Sequence, residues 1–241
     1  MQTKYRGILL YLKVHKENDL LVKFLSNSDE LISGIVYGGL SKKKRNIFQI
    51  GYFLDFEVSY KSNRPSSINA ELSKPFISKI INDKYKLNCL ICVTSLINLS
   101  IIEGQKIKNI FYIVENFLLN MFNNKKWFAD FCSFLFQLLK IIGYEIDYLE
   151  AKNKKYFDLD LLEFKNVITK TSVEFPYHLL DKNNVKIDTV NVINFFNIFE
   201  TVYLRNHLSN FNLRLPNQYY LFKKLIIDKI KWLWPSSLKK I

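Results

Sequence analysis

Glycine and proline are scarce, seven and five residues in a chain of 241, which leaves little room for long low-complexity linkers. Cysteine is scarcer: three residues, an odd number that makes no disulfide framework and fits a reduced, cytoplasmic setting. Long apolar runs are missing too. Residues 1–18 contain no uninterrupted apolar core and no small-residue cleavage site, so no signal peptide is expected. The most apolar stretch, Leu87–Ile102, is broken by Asn88, Thr94 and Asn98 and is too short to cross a bilayer comfortably. Three nucleotide-binding and hydrolase signatures, G-x-x-x-x-G-K-[ST], G-x-G-x-x-G and G-x-S-x-G, are absent. No catalytic residue and no cofactor is therefore expected.

What remains is the composition of a folded protein. Hydrophobic residues make up 49% and aromatics 15%, far above what a disordered chain carries. The formal net charge is +13, which points to a polyanionic partner, nucleic acid or an anionic membrane surface. Only Arg6, Arg45, Arg64, Arg205 and Arg214 among the basic residues are arginines; the rest are lysines. Lysine shares A/T-rich codons with the abundant Ile, Asn, Phe and Tyr, so codon bias accounts for part of the total. Where the charge clusters matters more than its sum.

The first seventy-odd residues alternate with period two. Runs beginning at Ile8, Leu20, Leu31, Tyr52 and Ile68 are bounded by turn signals at 17–19, 27–29, 38–39 and 63–66, and read as five strands. Five short strands in so few residues imply a small closed barrel, because closure removes exposed edges. An OB-fold and an SH3-like barrel both satisfy the pattern. After Lys74-Pro75 the period changes. Trp127, Phe131, Phe134, Leu138 and Ile142 recur at helical spacing, and segments near Tyr85–Ile102, Ile107–Phe122, Val190–Arg205 and Pro216–Trp232 behave alike. Between Gly143 and Asp188 the pattern breaks, and short helices and loops are expected. The fold class is α+β: a five-stranded barrel over residues 1–74, then an all-α domain over 75–241.

Candidate chemical clusters are weak. Cys89 and Cys92 form a C-x-x-C, but structural zinc wants four ligands; Cys132 stands alone and His15, His178 and His207 are scattered. The pair lies inside an apolar helical run, so buried structural thiols are expected. Asp158 and Asp160 could contribute to a metal site, although such a pair is commonly a solvated loop or a cap. No metal site is assigned, and His15 and His207 read as surface or boundary residues.

The sharper signal is Lys42, Lys43, Lys44 and Arg45, four consecutive basic residues after Gly38-Gly39, with Lys61 and Arg64 at the next turn. Concentrating like charge on a barrel rim costs self-repulsion that a polyanion would relieve. A solvated charged loop is the competing reading. Tyr37, Phe48, Tyr52, Phe53, Phe56 and Tyr60 lie nearby; one or two could stack on bases, although strand alternation sends about half into the core.

These residues also carry a family likeness. Arg6-Gly7-Ile8-Leu9-Leu10, the turn and strand Lys16–Val22, the glycine-then-basic segment Gly34–Arg45 and Gln49-Ile50-Gly51-Tyr52 resemble, in order, the start of RecO-type recombination proteins. Downstream, Trp127 with Phe131–Asp147, then Leu204–Leu208 and Leu213–Pro216, are similar to the family's helical part. The resemblance implies an N-terminal OB-fold and a C-terminal helical domain. It further implies binding of single- and double-stranded DNA, strand annealing, and mediation of recombinational repair after DNA damage. The implied partners are RecR, RecA and the C-terminal tail of single-stranded DNA-binding protein, with no membrane. Many family members insert a Cys-rich zinc module after the glycine-aromatic segment; here 147–156 holds no cysteine, so zinc is not carried over. The competing functional class is a peripheral membrane or scaffold protein, anchored through Lys231-Trp232-Leu233-Trp234-Pro235 and Lys239-Lys240 on anionic lipid or an acidic partner.

Overall fold

The computed structural model describes residues 2–61, 64–74, 76–181 and 187–233, without the side chains at 61, 64, 74 and 233. It divides into two compact units, Met1–Phe122 and Asn123–Ile241.

The first unit is built on five strands: β1 (Gln2–Val14), β2 (Leu20–Ser26), β3 (Leu31–Val36), β4 (Phe53–Lys61) and β5 (Arg64–Lys74). They close into a barrel in the order β1-β2-β3-β5-β4, with β1 antiparallel to both β2 and β4, and β3 parallel to β5. Period-two alternation puts Leu20, Val22 and Phe24 of β2, and Leu54, Phe56 and Val58 of β4, inside with Leu9, Ile32 and Ile68. Phe24 and Phe56 stack at 4.3 Å in the middle.

The outward-facing residues of these strands are not all wet. Ile8 pairs across to Leu25 on one side and Phe53 on the other, and Leu25 pairs with Leu31, so a cross-strand row runs over the outside of four strands. All four side chains are buried. Within the same unit, α1 (Lys84–Ser100) lies against β1, and α2 (Ile110–Asn123) is tied on by two polar contacts. The Arg6 guanidinium donates to the Glu115 carboxylate at 2.5 Å. At the β2–β3 tip, the Asp29 carboxylate accepts the N–H groups of Asn109 and Phe111 at 2.8 and 3.0 Å, capping the start of α2 from outside the helix. Gly51, at φ +84°, brings its Cα so close to Leu90 that an added Cβ would stand 2.7 Å from it.

The second unit packs α3 (Trp127–Ile141), the short α4 (Tyr177–Leu180), α5 (Thr189–Val202) and α6 (Asn217–Leu233) around an aromatic core that includes Phe131, Phe195, Phe199 and Phe222. The span expected to hold short helices and loops also contains a small sheet, β6 (Tyr156–Asp158), β7 (Glu163–Lys165) and β8 (Ser172–Glu174), in the order β7-β6-β8. Three-residue strands are too short to show a period-two signal. Residues 203–208 continue α5 as one wide π-turn. His207, read from the sequence as a boundary residue, is buried there, stacked on Tyr203 and edge-on to Tyr144 and Phe211.

Candidate nucleic-acid interface

In a barrel whose strands alternate in direction, successive turns alternate between its two ends. The β1–β2 turn and the β3–β4 segment therefore share one rim, and the β2–β3 and β4–β5 turns share the other. The register agrees: Val14 pairs with Leu20, and Leu20 with Val36.

On the first rim, residues 37–47 form a chain of tight turns. Gly38 adopts φ +63°, which turns the chain sharply as it leaves β3. Its N–H donates to the Asp19 carboxylate at 2.9 Å, and the Leu40 N–H donates to the Asn18 carbonyl at 3.0 Å. A side chain at Gly39 would run into Leu20 at 2.8 Å, so the close approach needs glycine. Lys44 and Arg45 both donate their N–H to the Ser41 carbonyl at 3.0 Å, and Phe48, buried in the barrel core, anchors the far end. The basic run is thus held at both ends and across its middle.

Lys42, Lys43 and Arg45 are exposed on this support, while half-buried Lys44 aims its ammonium at the Tyr37 carbonyl, 3.4 Å away. The adjoining end of β1 and the β1–β2 turn add exposed Lys13, His15 and Lys16, with exposed Glu17 beside them. Among the described residues, none of these lysines nor Arg45 has an acidic partner. Like charges fixed side by side, outnumbering Glu17 and Asp19 of the adjoining turn, raise the local potential and favour an anionic ligand. Sequence reasoning missed Lys13 and Lys16. Their placement could have been anticipated from the OB-fold itself, whose β1–β2 loop belongs to its oligonucleotide-binding surface.

Lys61 and Arg64 do not join this cluster. Their backbones pair with each other across the β4–β5 hairpin, at the opposite rim; their side chains lie outside the described residues. The neighbouring Tyr60 hydroxyl has its pKa raised, first by burial, then by a hydrogen bond with Tyr5 and the nearby Glu30 carboxylate. That rim carries Glu30 as well as Lys61 and Arg64. Of the aromatics considered from sequence, Phe48, Phe53 and Phe56 are buried and Tyr52 packs against the core, leaving Tyr37 and Tyr60 exposed at 55% and 48%.

The candidate metal residues resolve differently. Asp158 is buried and accepts hydrogen bonds from the Thr169 hydroxyl (2.7 Å), the Thr171 hydroxyl (3.0 Å) and the N–H groups of Asp160 and Leu161. These donors, Thr169 foremost, hold its carboxyl down at about 2. It is a loop-organising carboxylate, and Asp160 instead pairs with Arg205 at 2.8 Å. Cys89, Cys92 and Cys132 are buried, and burial pushes the Cys92 and Cys132 thiols up, away from the reactive thiolate. Among the described residues no group of three or more His, Cys, Asp or Glu could hold a metal ion, and no helix is long and apolar enough to cross a membrane.

A closed five-stranded barrel of this order, with a basic loop clamped to its β1–β2 turn, defines the class: an OB-fold joined to a mainly helical unit. Comparison with known proteins adds a family likeness. Residues 1–76 match the family model described as Recombination protein O N terminal. The chain is also similar to the DNA repair protein RecO of Rickettsia canadensis, 31% identical over 148 residues that cover 61% of each chain. RecO of Rickettsia bellii is 32% identical over 152 residues, covering 63% of this chain and 62% of that one, and RecO of Rickettsia akari is 31% identical over 148 residues. The likeness to RecO-type proteins read from the motifs is borne out. The matches span less than two thirds of the length of these relatives.

Proposed function

We propose that this protein is a DNA-binding mediator of recombinational repair, acting without bond chemistry of its own. It holds single- and double-stranded DNA on the barrel, promotes annealing, and works with RecR in loading RecA. The observation that carries the reading is the clamped basic rim, Lys42–Arg45 with Lys13 and Lys16, on the barrel type that matches the RecO N-terminal family. Phosphates would be its ligands: flexible lysines contact them without reading sequence, so single strands and duplexes should both bind. The RecO relatives support the repair role by name. Capture of the acidic, apolar tail of single-stranded DNA-binding protein by the helical unit belongs to the same proposal.

The test is annealing of two complementary labelled oligonucleotides, followed by energy transfer, with and without the protein. Acceleration at sub-stoichiometric protein that high salt abolishes supports the reading; no binding and no acceleration at low salt overturns it. One observation favours the membrane reading: Trp232, near the end of α6, is 82% exposed beside exposed Lys231. Residues 234–241, which complete that candidate anchor, lie outside the described residues. Sedimentation with anionic vesicles, comparing the full chain with Trp232→Ala, separates the two readings.

A further inference from the structure

We infer that Tyr37 is the base-stacking residue of the rim, and that it confers a preference for unpaired bases on a patch whose lysines alone would not discriminate. The inference rests on the DNA-binding reading above and names the ligand at that site: an unstacked nucleobase.

Three observations converge on Tyr37. Of the aromatics near the basic segment it is the most exposed on the basic rim, at 55% against 37% for Tyr11, which lies back along β1. Tyr60, the other exposed candidate, sits on the opposite rim, away from the clamped basic run, and its hydroxyl is engaged in a hydrogen bond with Tyr5. Second, Tyr37 is next to the phosphate contacts: its carbonyl lies 3.4 Å from the Lys44 ammonium, and its chain neighbour Gly38 begins the loop bearing Lys42, Lys43 and Arg45. A nucleotide with its phosphate on the loop has its base within reach of the ring. Third, the backbone there is fixed before any ligand arrives, since Gly38 donates to Asp19 and Leu40 to Asn18. A pre-placed ring loses little freedom on binding.

Discrimination follows from geometry. Within a duplex both faces of each base are covered by its neighbours, so an aromatic ring has nothing to stack on; in a single strand each base offers its π-face. Lysines contact phosphates in both forms. Removing the ring should therefore cost single-strand affinity on the order of five- to a hundredfold and leave duplex affinity nearly unchanged.

The experiment uses the full chain and its Tyr37→Ala, Tyr37→Phe and Tyr60→Ala variants. Each is titrated by fluorescence anisotropy with a labelled oligothymidylate and with a blunt duplex, and stacking is followed by quenching of 2-aminopurine in a single strand. A thermal melt by circular dichroism checks folding; Tyr37→Phe, which keeps the ring, provides the second handle. The expected result is loss of single-strand affinity and quenching in Tyr37→Ala, with duplex binding within about twofold and both other variants unchanged. If Tyr37→Ala weakens both ligands equally, or neither, the stacking role is wrong while DNA binding stands. If the wild type binds neither ligand, the DNA-binding reading falls with it.

Discussion

Replacing Asp19 by alanine separates two effects that act with opposite sign. Asp19 is an acidic residue on a basic rim, so simple electrostatics says that removing it should tighten DNA binding. A unit charge roughly 10 Å from a phosphate in water is worth only about 0.4 kcal/mol, and physiological salt screens it further. The carboxylate also accepts the Gly38 N–H at 2.9 Å and so fixes the loop that carries Lys42–Arg45. A hydrogen bond to a charged group contributes about 1.5–3 kcal/mol when shielded, and nearer about 1 kcal/mol at a half-exposed site. Losing it lets the loop wander, and that ordering cost is then met on binding. The loss outweighs the gain: Asp19→Ala should bind an oligothymidylate about three- to fivefold more weakly by fluorescence anisotropy. Asp19→Asn, which keeps an acceptor and drops the charge, should bind as well as wild type or slightly better. Tighter binding by Asp19→Ala would refute the clamp.

Three further outcomes are expected. Asp158, with its carboxyl held down at about 2, contributes stability that is complete above the ordinary carboxylate range and lost as pH falls through about 2; Asp158→Asn should therefore melt lower than wild type at neutral pH, with the gap closing below pH 4, and equal melting temperatures at pH 7 would count against it. Because Cys89, Cys92 and Cys132 are buried and no group of three or more His, Cys, Asp or Glu among the described residues could hold a metal ion, elemental analysis should find no stoichiometric zinc, and a chelator should leave the melting curve unchanged; about one zinc per chain would overturn this. A fragment ending at Phe122 should fold cooperatively, whereas one ending at Lys74 uncovers Ile8, Leu25, Leu31 and Phe53, at about 1.5–3 kcal/mol each, a loss comparable to a whole domain's stability; a sharp melt from the shorter fragment would contradict the role given to α1 and α2.

The barrel was legible in the sequence because Leu20, Val22 and Phe24, or Leu54, Phe56 and Val58, have to alternate to fill a closed core. The run Ile8-Leu9-Leu10 breaks that alternation, and its meaning, a strand covered on both faces, becomes plain only with α1 in place. The three-residue strands β6–β8 carry too little pattern to be seen. Their organiser, Asp158, binds donors 2 to 13 residues further along the chain, a relation that spacing does not disclose. For the interface, the run Lys42–Arg45 was visible as composition. Grouping it with Lys61 and Arg64 followed nearness in sequence, whereas alternating strand direction sends consecutive turns to opposite rims. The same rule brings Lys13 and Lys16, about thirty residues upstream, into its company.

The central claim, that the clamped rim is a phosphate-binding surface, is tested most directly by the salt dependence of single-strand binding. Each phosphate neutralised contributes about −0.7 to the slope of log affinity against log salt. With Lys42, Lys43, Lys44 and Arg45 all replaced by alanine, binding should weaken and the slope flatten by roughly two to three units, while the melting temperature holds, since exposed loop charges contribute little to folding. A quadruple variant that binds and responds to salt as the wild type does would make the loop a solvated one and contradict the account.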